Sequence, residues 1–549
     1  MKMNFKNILS AVAAATMFTA CIGDLDTIPL NKTDVTSESA YGANEEGYVQ
    51  GLTKIYFQLV SNNTQDLAVA DGGASEFIRA FWSTQEVTAD AAKCAWGDAW
   101  VNDLNNCTWS GDVLNDAVYA VYVRTLQGIT YVNEYLRQTS SDNLALRGVS
   151  SDVAAKIDSY RAEARFLRAF FYWAALDSFG KVPFSTETSP FGGGYNPPQT
   201  DRTTVFNFVV SELEALAADG SAMPAAQSNY PRADKGSVLG LLARVYLNAE
   251  VYTGKAMWAE AKATCERIYE LGYALAPTHA ELFRGDNGEN PDAKKEILFA
   301  AAYDAENTQS YGGTTYLTLS TLSGDDGAVN ITGINGGWAG NRVPDAYVKK
   351  FFTDVDVDKA NFETGEYTYT DDRASYFYIK GRTSSMQDNL NTFLNGWSCI
   401  KFNNVPHDKD AVEYASVAAT KNFSDIDWPL IRLGEIHLIY AEACMELGDS
   451  KNSAALQNVT ALASRAHATA PAEITSEWLF EERARELMWE GHRRTDLIRY
   501  GKWISGYNWT YKGKNFGGQD LPSHFNLFPI PVTELSANLD LEQNDGYTK

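Results

Sequence analysis

One long amphipathic helix is predicted from residue 153 to residue 179, and the rest of the fold has to accommodate it. Apolar side chains recur at helical spacing on one stripe, at Ala162, Phe166, Ala169 and Trp173. Arginines line a second stripe, at Arg161, Arg165 and Arg168. Gly180 ends the helix, and Pro183 prevents it from resuming. The pattern favours a mainly α protein.

Further helices are predicted along the chain, most of them in pairs. A second helix covers 204–218, and two pairs follow, 235–251 with 256–271 and 434–447 with 453–467. Each pair resembles a degenerate tetratricopeptide repeat, which is about 34 residues of two antiparallel helices. Such pairs stack to bury a shared core and leave surfaces for partners.

Long tracts rich in Gly, Asn and Asp separate the helices, at about 62–113, 284–345 and 360–425. Loops of this length inside a compact protein are usually functional. With 549 residues, the chain is predicted to form tetratricopeptide-like helical pairs packed against a loop-rich irregular lobe that carries the functional site.

Charge and composition narrow the ligand classes. The net charge is −24. Nucleic acid and anionic lipid are therefore poor partners, because proteins bind both through clustered Lys and Arg. A neutral or cationic ligand, or a divalent metal, fits better. The one class of residue that is unusually abundant is the aromatic one, with 13 Trp and 29 Tyr. Either the core absorbs them, or several rings stand at a surface and meet apolar faces of a ligand.

The N-terminal residues are typical of an export signal. Lys2 and Lys6 precede an apolar run over 8–18, which is too short to span a bilayer. The run ends in Phe-Thr-Ala-Cys21, which resembles the lipobox of bacterial lipoproteins, whose Cys is acylated. We therefore expect a signal peptide at 1–20, a lipidated tether at 21–40 and one domain at 41–549. The alternative is an ordinary signal peptide with an incidental Cys.

Thiol and zinc chemistry are not expected. Beyond Cys21, five cysteines remain, and an odd number excludes complete internal pairing. Cys265 and Cys444 fall in helical patterns typical of buried thiols, whereas Cys94 and Cys107 lie close enough in sequence to bridge a loop. No Cys or His pair has zinc spacing.

Several segments of the chain carry distinctive motifs: 161–173 (RAEARFLRAFFYW) with 177–184, 427–442 (DWPLIRLGEIHLIYAE), 481–503 (EERARELMWEGHRRTDLIRYGKW), 528–531 and 543–547. Together these segments resemble the SusD/RagB family, the glycan-capturing lipoproteins of Bacteroidetes. The resemblance implies tetratricopeptide-like helices docked on a glycan-binding lobe. It also implies a cell-surface location on the outer membrane, with anchoring through Cys21, and a partner, a TonB-dependent outer-membrane barrel of the SusC type.

The acidic run in the 481–503 segment is interpreted as structural. Glu482, Glu486 and Glu490 lie four apart, and Arg483, Arg485, Arg493 and Arg494 lie nearby in sequence. Two such carboxylates suggest acid and base of a hydrolase, but salt bridges that lock the helices are the favoured interpretation.

The resemblance is strongest to the starch-binding members of the family, in which an arc of aromatic rings holds a curved α-glucan. Matching local strings are Phe77-Ile-Arg79, Cys94-Ala-Trp96, Tyr311-Gly-Gly-Thr-Thr-Tyr316 and Asn335-Gly-Gly-Trp338. They place Trp96, Tyr311 and Trp338 on the arc, and Arg79 and Asp71 on its polar contacts. An Asn of the family pattern is Ala99 here, so Asp98 or Asn102 is expected to substitute. The alternative is that the three rings are core residues.

No cofactor is required, although a structural calcium ion is possible by the same resemblance. Asp286, Asp425 and Asp427 match positions that hold calcium in starch-type members, and carboxylate oxygens suit this ion. The alternative is that they are solvated loop acids.

Starch or α-glucan oligosaccharide is thus the predicted ligand. Three alternatives stay open: the same role for a fructan or hemicellulose, a surface glycoside hydrolase, and an assembly role without sugar binding. A hydrolase needs two carboxylates flanking the bond, and no recognised catalytic motif is present in the sequence.

Overall fold

The structure is a computed structural model that describes residues 40–62, 67, 69, 71–192, 194–387 and 389–548. The predicted signal peptide, the acylation site Cys21 and the tether up to residue 39 lie outside the described residues. None of the described helices is both long and apolar enough to cross a membrane.

Twenty α-helices are present in the described residues. They are α1 (Glu46–Val60), α2 (Phe77–Trp82), α3 (Ala99–Asn106), α4 (Asp116–Gln138), α5 (Ser141–Leu146), α6 (Ser151–Phe179), α7 (Arg202–Ala217), α8 (Lys235–Leu247), α9 (Ala249–Thr253), α10 (Trp258–Tyr269), α11 (Pro291–Glu296), α12 (Gly313–Leu319), α13 (Val329–Thr332), α14 (Asp345–Phe351), α15 (Ala411–Ala418), α16 (Leu433–Glu446), α17 (Ser453–Arg465), α18 (Ser476–Glu486), α19 (Arg493–Arg499) and α20 (Val532–Ala537). The prediction of a mainly α fold is confirmed.

The predicted long helix is α6, which begins two residues earlier than expected. Ser150 caps its start, because its hydroxyl accepts from the backbone N–H of Val153, and Gly180 ends it with a φ of 73°. From Phe166 onward every residue of α6 is buried, so this half is not amphipathic. It is surrounded by other elements of the main core, including α4 and α7.

The arginine stripe of α6 joins α6 to its neighbours. Arg165 and Arg168 both pair with Glu212 on α7, at 2.9 Å each. Arg161 donates to the backbone carbonyl of Leu136 at the end of α4. These guanidinium groups therefore hold three helices together.

Both predicted helical pairs are confirmed. The first consists of α8 and α10, with the short α9 following a break at Asn248; the second consists of α16 and α17. Helix α10 also packs against α16, so the two pairs stack on each other. Their facing residues, such as Cys265 and Ile439, are fully buried.

The β-strands form four antiparallel pairs: β1 (Lys93–Cys94) with β5 (Asn341–Arg342), β2 (Val182–Pro183) with β3 (Gln199–Thr200), β4 (Ile297–Ala301) with β8 (Trp428–Arg432), and β6 (Phe377–Tyr378) with β7 (Ser398–Cys399). The β4–β8 pair runs from Ile297 opposite Arg432 to Ala301 opposite Trp428. The tract 284–345, which the sequence suggests is a long loop, contains short helices and the buried strand β4.

The acidic run after residue 481 is structural, as predicted. Glu482 and Glu486 pair with Arg373, at 2.8 and 2.9 Å, and Glu490 pairs with Arg432 at 2.6 Å. Apart from a pair between Glu482 and Arg485, the partners come from distant segments rather than from the neighbouring arginines. Helix α18 ends at Glu486, so Glu490 lies beyond the helix that the spacing predicts.

The five cysteines of the described residues are free and buried: Cys94, Cys107, Cys265, Cys399 and Cys444. The prediction of buried thiols at Cys265 and Cys444 is confirmed, and Cys94 and Cys107 do not pair with each other. Burial raises the pKa of the Cys94 and Cys107 thiols to about 11.

Candidate functional site

Two of the Gly-rich tracts meet through the β1–β5 pair. Beyond the paired residues, the N–H of Ala95 donates to the carbonyl of Gly340 at 2.9 Å, and the indole N–H of Trp96 donates to Ala339 at 3.0 Å. A Cβ on Gly340 would lie 2.9 Å from the Trp96 ring, so glycine lets the indole lie against this backbone. The pairing brings the loop of Trp96 beside the loop of Trp338.

All six predicted binding residues line one cavity of about 370 Å³, together with Gly72 and Gly73: Asp71, Arg79, Trp96, Asp98, Tyr311 and Trp338. We call its three rings, Trp96, Tyr311 and Trp338, the ring platform. Tyr311 is 51% exposed, and the two indoles are half-buried. The Tyr311 and Trp338 centroids lie 6.2 Å apart at 51°. The rings therefore stand at the surface and are not sealed in the core.

Arg79 forms the polar floor of the cavity. Its side chain is buried, and Nη2 donates to Oδ2 of the half-exposed Asp71 at 2.8 Å. The guanidinium lies 4.3 Å from the Tyr316 ring centroid and 5.4 Å from that of Trp96. Its Nε has no hydrogen-bond partner among the described residues. Arg79 is thus held in one orientation, and its unpaired donor, Nε, is buried.

Asp71 is an anionic acceptor at the cavity edge. Burial alone would raise its pKa, but the charge of Arg79 and hydrogen bonds from Arg79 and Gly73 lower the pKa below its usual value. Gly73 cannot carry a side chain, because a Cβ would lie 2.4 Å from Nη1 of Arg79. An ionised carboxylate beside a fixed guanidinium suits a ligand that both donates and accepts hydrogen bonds.

Of the two expected substitutes for the missing Asn, Asp98 is the one available to a ligand. It lines the cavity, is exposed and makes no capping hydrogen bond to α3. Asn102 donates to the carbonyl of Gly97 and accepts from Asn391, so its amide holds the loop.

Asn391 and Phe423 border the site and were not identified from the sequence. The Asn391 amide donates to the carbonyls of Ala95 and Trp96, at 3.2 Å each. The Phe423 ring lies 5.1 Å from that of Tyr311. Both residues occur in polar tracts without periodicity, and no pattern in the sequence singles them out.

A buried carboxyl supports the loop that carries Tyr311. Glu76 accepts hydrogen bonds from the hydroxyls of Tyr303 and Ser310, and Gly312 packs directly on it. Burial raises the pKa of Glu76 to about 8, although these hydrogen bonds oppose the shift. At neutral pH the Glu76 carboxyl group that supports this loop is therefore protonated and uncharged.

The proton on Glu76 makes stability depend on pH. Folded Glu76 keeps its proton up to about pH 8, whereas the unfolded chain releases it near the ordinary value of 4.5, so rising pH between these values destabilises the fold. We expect Glu76→Gln, which has no such proton, to reduce the loss of unfolding free energy between pH 6.5 and 8 by up to about 1.4 kcal/mol per pH unit. Urea denaturation at several pH values measures this slope.

Other buried groups that titrate in this window are common to both proteins. Burial lowers the pKa of His492 to about 4 and that of Lys93 to about 8, so unfolded His492 and folded Lys93 still exchange protons between pH 6.5 and 8, but their contributions cancel in the difference between the two profiles. The pKa of Glu86 is raised by burial to about 7, so some slope persists in the variant. The exposed Glu363→Gln serves as the charge-matched control. Parallel pH profiles for Glu76→Gln and the parent protein would contradict the assignment.

The predicted calcium residues already have protein partners. Asp286 contacts His407 at 2.5 Å, Asp425 contacts Lys421 at 2.6 Å, and Asp427 accepts from Tyr230 at 2.7 Å. Among the three predicted calcium residues, only Asp286 belongs to a group of possible metal ligands in the described residues. The other members of that group are His407 and Asp408. Calcium needs six to eight oxygen ligands and would have to displace these donors, so binding at the three acids stays a prediction.

A larger cleft of about 1030 Å³ lies between the segments 180–202 and 523–546. Most of its lining residues are of polar or charged types, and they include no Trp, Tyr or Phe. The larger cleft is therefore not the candidate site. The smaller cavity is chosen because aromatic rings and an Arg–Asp pair converge in it.

Comparison with known proteins identifies the family to which the chain belongs. A model described as the SusD family matches residues 295–547, and one described as "Starch-binding associating with outer membrane" matches residues 58–247. The starch-binding protein SusD of Bacteroides thetaiotaomicron is 32% identical over 580 aligned positions, covering 99% of each chain. The chain belongs to the SusD family.

Solved structures of SusD-family proteins share the fold. A SusD homolog from Bacteroides thetaiotaomicron superposes with a TM-score of 0.68 at 18% identity, covering 94% of this chain and 99% of that one. A laminarin-binding SusD-like protein gives a TM-score of 0.64 at 20% identity, covering 92% and 100%. At these identities the likeness concerns the fold, and it confirms the predicted SusD-like architecture.

Proposed function

We propose that this protein is a cell-surface glycan-binding lipoprotein that captures starch or α-glucan oligosaccharides. The observation that carries the proposal is the convergence of Trp96, Tyr311 and Trp338, from three separate loops, around the Arg79–Asp71 pair. The starch-binding name of the full-length relative supports the choice of α-glucan.

The residue types match the two sides of a sugar ring. A pyranose has apolar C–H faces that an indole or phenol ring can cover, while its hydroxyls remain at the edge. Arg79 offers donors to those hydroxyls, and Asp71 and Asp98 offer acceptors. Rings of the platform are tilted rather than coplanar, with 51° between Tyr311 and Trp338, which suits a curved chain more than a flat one.

Binding, rather than hydrolysis, is the proposed activity. Glycosidases place two carboxyl groups on either side of the scissile bond, one of them protonated at working pH. The carboxyls that line the cavity are Asp71, which has a lowered pKa, and the exposed Asp98. The charge of Arg79 beside Asp71 disfavours the protonated form that a catalytic acid needs.

A delivery role completes the proposal. The protein would be anchored to the outer membrane through an acylated Cys21 and would pass oligosaccharides to a TonB-dependent barrel of the SusC type. The description of the family model that matches 58–247 supports the membrane association. The stacked helical pairs offer surface for such a partner.

A polysaccharide panel tests the ligand. In native affinity electrophoresis, amylopectin should retard the purified protein, whereas laminarin, inulin and xylan should leave its mobility unchanged. Retardation by another polysaccharide alone would replace α-glucan as the ligand, and unchanged mobility in all gels would favour the assembly role. Shorter products after incubation with amylopectin would favour the hydrolase.

A further inference from the structure

Phe423 lies at one end of the ring platform and is half-exposed. Its centroid is 5.1 Å from that of Tyr311, and the two planes are tilted by 50°. Trp338 also contacts Tyr311, but no ring contact joins Trp338 to Phe423 among the described residues. Tyr311 therefore stands between the two, and the apolar strip continues past the cavity that the six predicted residues line.

Core packing does not account for the position of Phe423. Among the described residues, its one ring contact is with Tyr311, itself 51% exposed. Trp96 and Trp338 pack partly against the main hydrophobic core, whereas Phe423 is not among the side chains that do so. With Tyr311 and Trp338 it forms a contiguous apolar patch at the surface, and such patches are typical of ligand-binding grooves.

The backbone on both sides of Phe423 is fixed to the site. The carbonyl of Lys421 accepts from the N–H of Asn335, in the loop of Trp338, at 2.8 Å. The N–H of Ser424 donates to the hydroxyl of Thr315, in α12, at 3.0 Å. Phe423 is thus held in a constant relation to Trp338 and Tyr311, which lowers the entropic cost of using its ring.

Polar groups beside the ring suit an additional sugar unit. Asn422 is exposed and holds a weak 3.4 Å contact with Asn335, so its amide remains open to hydroxyls. The ammonium of Lys421 is neutralised by Asp425 at 2.6 Å, which removes a charge from this edge. The surroundings are therefore polar but not strongly charged, as a neutral oligosaccharide requires.

We propose that Phe423 forms an outer subsite, so that long oligosaccharides bind more tightly than those that fill the ring platform alone. The inference rests on the proposed function of the platform and adds a preference for chain length.

The test is isothermal titration of the full protein and of Phe423→Ala with maltotriose and maltoheptaose. The variant should lose about three- to tenfold in affinity for maltoheptaose, because part of one ring no longer covers the sugar. Its affinity for maltotriose should stay within about twofold of the parent value, since the other rings are unchanged. Phe516→Ala is the matched control, because Phe516 is 38% exposed and contacts one ring, that of Tyr511.

The outcomes separate the subsite from the site itself. Equal losses for both sugars would overturn the subsite and assign Phe423 to the support of Tyr311. Unchanged affinity for both would overturn it as well. If the parent protein binds neither sugar, the α-glucan function and the subsite fall together, and the titration of the parent protein identifies that case.

Discussion

Replacing Glu486 by alanine is expected to lower the free energy of unfolding by about 3–5 kcal/mol. The carboxylate is fully buried and accepts from Arg373 at 2.9 Å, Arg432 at 2.8 Å and Arg465 at 2.5 Å. Burial would raise its pKa, but the charges of Arg465, Arg432 and Arg373 hold the pKa well below the usual range. Alanine would leave an empty space beside three buried guanidinium groups, each of which would lose one of its carboxylate partners and keep the others.

Denaturant unfolding followed by circular dichroism measures this loss. The matched control lies on the same helix, α18, where the exposed Glu477 contacts Lys350 and Lys502 at 3.8 and 3.4 Å. Glu477→Ala should cost at most about 1 kcal/mol, as exposed ion pairs do. Similar costs for the two variants would mean that the buried cluster contributes nothing beyond a surface pair.

Replacing Trp338 by alanine is expected to weaken the proposed binding of α-glucan by about tenfold to thirtyfold. A sugar face covers roughly 60–80 Å² of an indole, which at about 25 cal/mol per Å² corresponds to about 1.5–2 kcal/mol. The backbone of Trp338 is held independently of its ring, since its N–H donates to Leu319 at 2.7 Å. The fold of the loop should therefore survive the change.

Titration with maltoheptaose, beside a melting curve of each variant, measures the effect. Trp258→Ala is the control, because Trp258 is a half-buried indole on α10, outside the cavity. Trp96→Ala is less clean, since the Trp96 indole also donates to Ala339 and covers Arg79. Unchanged affinity in Trp338→Ala would contradict the assignment of the platform to sugar.

Helices were predictable wherever one residue pattern repeated long enough. The pairs around α8 and α16 follow from apolar residues at helical spacing, and the end of α6 follows from Gly180. Strand β4 was missed because its five apolar residues lie in a polar tract, and its partner β8 is more than a hundred residues away. Local patterns carry no information about such distant pairing.

The site was predictable only through resemblance. No periodicity connects Asp71, Trp96 and Trp338, and the matching local strings alone suggested that they belong together. Phe423 and Glu76 show the limit of that approach. The role of Phe423 depends on its contact with the Tyr311 ring, and that of Glu76 on its contacts with the loop that carries Tyr311. A single sequence does not show such contacts.

The absence of disulfides in the described residues means that noncovalent packing alone holds this part of the chain, and reducing agents should not weaken it. Because burial raises the pKa of the Cys399 thiol to about 12 and shields its sulfur, this side chain reacts slowly while the surrounding structure is closed. A maleimide would therefore label it only while its region is open. Cys265 and Cys444 lie in the paired helices and Cys94 and Cys107 lie outside them, and all four are buried as well, so thiols can report local opening in several regions of the protein.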